Sequence, residues 1–600
     1  MAVTPMMQQY LEIKNKYKDS ILFYRLGDFY EMFYDDAKIV SKELELTLTG
    51  RSCGEEERAP MCGVPFHSAD TYIGRLVAKG YKVVVCEQME DPAKAKGLVK
   101  RDIVRVVTPG TVIDNTQLVE SQNNYLCAVC FDSGASGIAF VDVSTGEMSA
   151  TSLEGTDMVD RLLNELGIYQ PKEIMVNESL DPFPRIKEYA EQRLHAFITE
   201  KHDDRFDYAK CLASVSRQFG SLAKETAEKG TCAVRAVGAL LFYIAETQMT
   251  EVTNVSKLTL FDDGEYLELD LATRRNLELC ETMRTKEKKG TLLWVLDRTK
   301  TSAGARMLRR WVEQPLVNAY AIGRRQRAVA ELCSSFMMRE ELAEQLRHVL
   351  DLDRLMTKLV YGTATARDLR AISATAALIP EIKELTSDFV SEELSDIHLH
   401  LDTLSDIKEL IDRAIVDEPP FSLREGGFIR RGFNSEADEL YSIVHDGKSY
   451  IEKIAEDERE KTGIKNLKVS YNRVFGYYIE VTKSFLSQVP DRYIRKQTLA
   501  NAERFITEEL KEKETMIAGE VKRVQETSAL LAKLDCYISL ADAAVKNSYC
   551  CPEIEYGSTI NIKEGRHPVV EQFAQDGYFV PNDTLLDTNH NRLALITGPN

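Results

Sequence analysis

Apolar and polar positions in the first third of the chain switch between helical and strand periods. Thr4 and Pro5 supply an N-cap and a first-turn proline, predicting a helix through Tyr17, and the apolar run Ile21 to Leu26 predicts a strand that ends at a Gly27-Asp28 turn. Helical spacing returns at Thr71 to Lys79. Lys82 to Cys86 reads as a buried strand, and Ile103 to Val107 as another before the Thr108-Pro109-Gly110 break. These predict a small mixed α/β domain over residues 1–112. A polar, aperiodic linker, 113–124, follows. Strands at Leu126–Phe131, Gly137–Asp142 and Glu147–Thr151 form a meander, and a helix at Asp157–Leu166 and a strand at Glu173–Val176 complete a second α/β domain over 125–250.

From Leu267 to Val416 the pattern is nearly all helical, with amphipathic stretches such as Ala305–Val312 and Glu340–Leu350. Ser435, with Asp438 three residues on, resembles a capping box and starts a helix that runs to Thr462 and stops at Gly463, a span of roughly 40 Å. A second long helix runs from near Thr498 to about Lys533. Between the two lie strand-forming segments, Leu467–Asn472 and Tyr477–Thr482, around a Phe475-Gly476 turn. The order predicts a helical body over 251–420 and 500–545 that carries a β-tipped pair of arms, 421–499. After Tyr549 the pattern changes again. Arg592 to Ile596 reads as a short strand running into Thr597-Gly598-Pro599-Asn600, which is either a plain β-turn or the opening of a phosphate-binding loop, and the domain at 546–600 reads as truncated.

Composition narrows the class. Six hundred residues, 44% hydrophobic and 28% charged, describe a soluble globular chain with room for about four domains. The longest apolar run, Ala236 to Ala245, is half of the roughly 20 residues a membrane span needs. No export signal opens the chain, so a cytosolic location is expected. Twelve cysteines without regular spacing argue for reduced thiols; Cys127 and Cys130 form a C-x-x-C, but on a strand they point to opposite faces and cannot share a metal. The nine histidines show no metal-ligand spacing.

The net charge of -19 argues against a polyanionic partner, yet its distribution argues for one. From 464 to 504, Lys465, Lys468, Arg473, Lys483, Arg492, Arg495, Lys496 and Arg504 face only Glu480, Asp491 and Glu503. A smaller excess lies at 91–111, where Lys94, Lys96, Lys100, Arg101 and Arg105 face Asp91 and Asp102. Two basic spots on an acidic body suggest localised rather than pervasive contact with a polyanion, nucleic acid among them, the alternative being a plain solvated face.

Several segments, in order, carry a resemblance: Gly27-Asp28-Phe29-Tyr30-Glu31-Met32-Phe33, Met61-Cys62-Gly63-Val64-Pro65-Phe66-His67, Val104-Arg105-Val106-Val107-Thr108-Pro109-Gly110-Thr111, the run from Leu269 to Glu278, Phe475-Gly476-Tyr477-Tyr478-Ile479, Gly565-Arg566-His567-Pro568, and Leu595-Ile596-Thr597-Gly598-Pro599-Asn600. Together they resemble the N-terminal three quarters of the bacterial MutS family of DNA mismatch repair proteins. The resemblance implies a multidomain α/β plus all-α fold. Its parts are a mismatch-recognition domain, an RNase H-like connector, a helical lever with an inserted clamp, and the start of an ABC-type ATPase domain.

The resemblance assigns Phe29 as an aromatic wedge at the mispair and Glu31 as the carboxylate that hydrogen-bonds the displaced base. A wedge pays unstacking energy, which is least where a base is already mispaired, while a carboxylate beside DNA discourages binding of intact duplex. Without the resemblance, Phe29 reads as a core aromatic and Glu31 as a helix-start acid. Reading of this kind senses how easily the duplex kinks. Clamp contacts then go to phosphates, with Arg495, Lys496, Lys468 and Arg492 as the expected positioning charges.

In the ATPase part the resemblance places Phe579 on the adenine face with Val580 and Asn582 beside it, and Gly598, Pro599 and Asn600 at the phosphate loop. ATP or ADP with Mg2+ is the implied cofactor of the full-length ATPase. The residues that complete that site lie beyond Asn600, so no catalytic residue and no resident metal ligand are expected within 1–600. The implied partners are duplex DNA with mismatches or small loops, a second copy in a homodimer or higher oligomer, and a MutL-type repair protein, in a cytoplasmic, nucleoid-associated setting with no membrane. Two rival functions stay open: a nuclease using Asp132, Asp142 and Glu147, and a MutS-like architectural clamp on branched DNA that does not sense mispairs.

Overall fold

The computed structural model describes residues 4–53, 58–89, 98–178, 180–200, 204–249, 252–262, 264–420, 426–438, 468–472, 476–480, 520–573 and 579–594. Two compact units are present. One comprises Met1–Thr363, Thr375–Leu404 and Glu520–Asn600, and the other Ala364–Ala374 and Ser405–Gly519.

The larger unit begins with α1, Pro5–Lys16, after Thr4 in extended conformation. Six strands follow: β1 Ile21–Leu26, β2 Phe29–Phe33, β3 Thr49–Arg51, β4 Ala59–Pro65, β5 Val83–Gln88 and β6 Arg101–Val107. They form one sheet in the order β3-β4-β2-β1-β5-β6, with only β1 and β5 parallel. Helices α2, Tyr34–Leu44, and α3, Ala69–Ala78, cover one face, where Phe23, Tyr30, Met32, Val83 and Val85 are buried. Met7 and Tyr10 of α1 cover the other face, over Leu22, Tyr24, Phe33 and Val84.

A second six-stranded sheet follows the linker: β7 Leu126–Asp132, β8 Ala135–Asp142, β9 Glu147–Glu154, β10 Glu173–Val176, β11 Phe197–Glu200 and β12 Lys257–Leu260. Its order is β11-β10-β7-β8-β9-β12, and β12 joins parallel to β9, beyond the expected boundary at 250. Helix α4, Met158–Tyr169, packs on one face and the helix Thr231–Gln248 on the other. The latter holds the apolar run 236–245, most of it buried between the sheet and the helix Tyr208–Phe219, with Phe242 and Ala245 partly covered. It sits so close that a Cβ on Gly137 of β8 would lie 2.1 Å from the Cys232 carbonyl carbon. Cys127 and Cys130 are buried on opposite faces of β7, as strand geometry requires. Among the described residues no helix is long and apolar enough to cross a membrane, and no cluster of His, Cys, Asp or Glu suits a metal.

The helical body of the same unit includes Ser302–Glu313, Ala319–Ser334, Phe336–Leu346 and Leu352–Val360. The third of these stops at Leu346, short of the expected Leu350, because Arg347 begins a turn before Asp351 caps the next helix. The closing helix, Val521–Asn547, runs fourteen residues past the expected end at Lys533, its last turns buried at Cys536, Tyr537, Ile538 and Ala541.

In the smaller unit, helix Ser405–Ala414 presents Asp412 to Arg370 at 2.5 Å, Ser373 at 2.6 Å and Lys408 at 2.7 Å. Burial opposes ionisation there, but those three donors outweigh it and hold the carboxyl down at about 2. Strands β13, Lys468–Asn472, and β14, Gly476–Glu480, pair antiparallel at the expected tip. The helix expected from Ser435 is capped one residue earlier. The Asn434 side chain accepts from the Ala437 N–H at 2.7 Å, and Asp438 reaches back to the Gly432 N–H, so the cap is Asn434 and not Ser435. The rest of that arm, and the start of the second at Thr498, lie outside the described residues.

Candidate nucleic-acid interface

The β1–β2 hairpin turns on two residues, and Gly27 takes the left-handed conformation, φ +59°, that a tight turn requires. Its closing pair is Leu26 and Phe29. Along β2, Tyr30 and Met32 point into the core beneath α2 and α3, and Phe33 points to the other face beneath Tyr10 of α1, their ring centroids 5.0 Å apart. Phe29 shares the Phe33 face but lies at the far end of the strand, away from α1. It is 46% exposed, against 6% for Tyr30 and 1% for Phe33. The core-aromatic alternative for Phe29 is thereby excluded: a large apolar side chain stands in solvent at the tip of a hairpin whose remaining aromatics anchor it.

Glu31 is two residues along on the same face, within the strand and not at a helix start. Its Oε2 meets Arg51 Nη1 of β3 at 2.5 Å. Arg51 carries no signal in the sequence. Only the strand order, which places β3 next to β4 and β4 next to β2, brings it near. Arg25 frames the hairpin from the other side, its Nε donating to the Gly27 carbonyl at 2.5 Å and its guanidinium 3.9 Å from the Phe66 ring centre.

Within the expected basic spot at 91–111, two of the charges are already engaged. Arg101 is buried, donating from Nε to the Arg25 carbonyl and from Nη1 to Gln9, and Arg105 is ion-paired with Asp70. A buried arginine that supports a hairpin offers little field to solvent. Lys94 and Lys96 lie outside the described residues.

Of the clamp charges, Lys468 opens β13 opposite Glu480. Arg492, Arg495 and Lys496 lie outside the described residues, as do Gly598, Pro599 and Asn600. Phe579, Val580 and Asn582 are adjacent at the surface, Val580 being 67% exposed, and the Asn582 amide donates to the Val580 carbonyl at 3.1 Å before β16, Asn582–Leu586, pairs with β15, Ile560–Gly565. Of the stretch read as a strand, Arg592 to Ile596, residues 592–594 are irregular and the other two lie outside the described residues.

The three acids considered for a nuclease are each engaged elsewhere. Asp132 pairs with Arg235 at 2.9 Å, and buried Asp142 accepts from Asn123, Asn124 and Ser144. Glu147 pairs with Arg310 at 2.7 Å; burial alone would raise its carboxyl, but Arg310 overrides burial and holds it below the ordinary range. Each is committed to its own partners, and among the described residues no acid cluster suits a metal.

Similarity to known proteins follows the same divisions. Residues 4–116 match the family model for MutS domain I, 124–258 that for MutS domain II, and 272–541 that for MutS domain III. The chain is 50% identical over 621 residues to the DNA mismatch repair protein MutS of Acetivibrio thermocellus, covering all of this chain and 71% of that protein. It is 49% identical over 620 residues to the protein of the same name from Ruminiclostridium cellulolyticum, with the same coverage. Alkaliphilus oremlandii has another, 46% identical over 624 residues. Three domain models in sequence and relatives matched along the full 600 residues give one conclusion: this chain belongs to the MutS family.

Proposed function

We propose that the chain recognises mispaired and unpaired bases in duplex DNA, with Phe29 as the wedge and Glu31 as the group that accepts a hydrogen bond from the displaced base. The observation that carries this reading is the exposure of Phe29 on a strand whose other aromatics are buried. A ring held out on a two-residue hairpin, its strand paired on both sides, can enter a base step without deforming the domain. Stacking on it favours a step that already opens easily, so local weakness in the duplex becomes binding preference. The names of the relatives, DNA mismatch repair protein MutS, support the same role.

Lys468, Arg492, Arg495 and Lys496 would contact phosphates and set register without reading sequence. Phe579, Val580 and Asn582 offer an aromatic face, an apolar contact and an amide that suit adenine. ATP or ADP with Mg2+, when bound there, would supply regulation of the clamp, with Gly598, Pro599 and Asn600 as backbone partners of the phosphates. ATP hydrolysis by the complete protein, a homodimer or higher oligomer, a MutL-type partner and a cytoplasmic, nucleoid-associated location belong to the same proposal. Competitive binding of the complete protein to matched and one-mismatch duplexes tests it. A clear preference for the mismatch is expected, and equal affinity for both, with preference for branched DNA, would favour the architectural clamp instead.

A further inference from the structure

The Glu31 carboxylate has a partner within its own sheet. Arg51 comes from the edge strand of the sheet and meets it at 2.5 Å. Gly63 is the residue opposite Glu31 on β4. A Cβ there would press on the Tyr30 carbonyl at 3.2 Å and touch Glu31 Cγ at an ordinary contact distance of 3.5 Å. The pair is only half shielded, with 16% of the Glu31 side chain and 41% of the Arg51 side chain exposed. Water competes for both partners of such a pair, so another donor can displace the guanidinium; a fully buried pair would resist that exchange.

We propose that Arg51 is the positioning residue for Glu31, holding and neutralising the carboxylate until a mispaired base takes its place. Resting on the reading of Glu31 as the base-contacting group, the exchange keeps its charges matched. Glu31 stays ionised and trades a guanidinium N–H for a donor on the base, while Arg51 keeps an anionic acceptor by turning to a neighbouring phosphate. A matched duplex offers the phosphate but no free base donor. Opening the pair would then leave a bare carboxylate beside the backbone, so the exchange is not completed and discrimination results.

The test is a cycle of Glu31→Gln and Arg51→Met, singly and together, in the complete protein, reading affinities for matched and one-mismatch duplexes of equal length at one salt concentration. Glu31→Gln alone is expected to change the mismatch-to-match affinity ratio by about fivefold or more, and in the Arg51→Met background by less than about twofold. Arg51→Lys, which keeps the charge, should restore most of the difference. Equal changes in both backgrounds overturn the proposal and leave the role of Glu31 intact. No change in the native background removes that role and the proposal with it. Thermal unfolding reports whether Arg51→Met folds. If it does not, the same comparison is made with Arg51→Lys, where a change as large as in the native background supports the proposal only if Arg51→Gln, a second uncharged variant, abolishes it.

Discussion

Lys82 and Glu173 meet at 3.2 Å across the junction of the two α/β domains. Glu173, at the start of β10, is fully buried, and it accepts from Thr108 Oγ1 at 2.5 Å, the Gly110 N–H at 3.3 Å, Tyr243 at 2.6 Å and Thr199 at 3.4 Å. Lys82 also donates to Thr199 and Tyr243 and lies 4.6 Å from the Phe197 ring centre. Burial and the Glu173 charge push the Tyr243 phenol well above its ordinary value, so it keeps the proton it donates. The Thr108-Pro109-Gly110 break, a chain terminator by pattern, is thus where the first domain is fastened to the second.

Removing one member of this pair strands the other. Glu173→Ala should cost about 3–5 kcal/mol of stability, and Lys82→Met a similar amount, whereas the double variant should cost less than the sum. Thermal unfolding of the four proteins checks this; additive losses would show that the two residues do not act as a pair.

Phe29 and Phe33 lie on one face of one strand and should respond oppositely to truncation. Phe33→Ala opens the core beneath α1 and should cost about 3–5 kcal/mol. Phe29→Ala should leave stability within about 0.5 kcal/mol yet weaken mismatch binding about 5- to 150-fold, the equivalent of one lost stacking contact. Affinity for matched duplex should barely move. A large stability loss in Phe29→Ala would return this residue to the core.

Charge reversal at the clamp tip should be blind to mispairs. Arg495→Glu with Lys496→Glu is expected to weaken binding of matched and mismatched duplex alike, and each lost phosphate contact should lower the slope of log affinity against log salt by about 0.9. An unchanged slope would remove these residues from the interface.

Glu165 on α4 gives a pH dependence of definite sign. Burial, against the weaker pull of Arg274 and Arg161, pushes its carboxyl up to about 7, and its shielded Oε2 has no hydrogen-bond partner. The folded form therefore holds a proton that the unfolded chain has lost, and the stabilisation, fully present below about pH 4.5, fades as pH rises through about 7. Glu165→Gln should flatten that window, with a difference on the order of 3 kcal/mol between its ends. Parallel stability–pH curves for the two proteins would contradict the assignment.

Local pattern revealed what local forces decide. The hairpin at Gly27-Asp28, the opposed faces of Cys127 and Cys130, and the strand Glu173–Val176 follow from turn chemistry and period alone. Features made by distant segments were not legible. Arg101 reads as surface charge and is buried under β1, β12 joins its sheet after a helix has intervened, and the closing helix continues past Lys533 because the body buries it. At the candidate site Phe29 and Glu31 stood out through a motif, but Arg51 did not, since two strand pairings separate it from Glu31. Ser435 was a sound capping residue displaced by a better one at Asn434.

The linker between the α/β domains is held by its carbonyl groups. Arg306, paired with Asp351, donates to the Glu120 carbonyl at 3.0 Å, and Arg354 donates to those of Val119 at 3.1 Å and Gln122 at 2.8 Å. A peptide carbonyl is the same whatever residue bears it. Substitutions at these three positions can therefore drift while the strap stays in place, but an inserted or deleted residue shifts every carbonyl out of reach. Evolutionary freedom along this stretch should lie in composition and not in length.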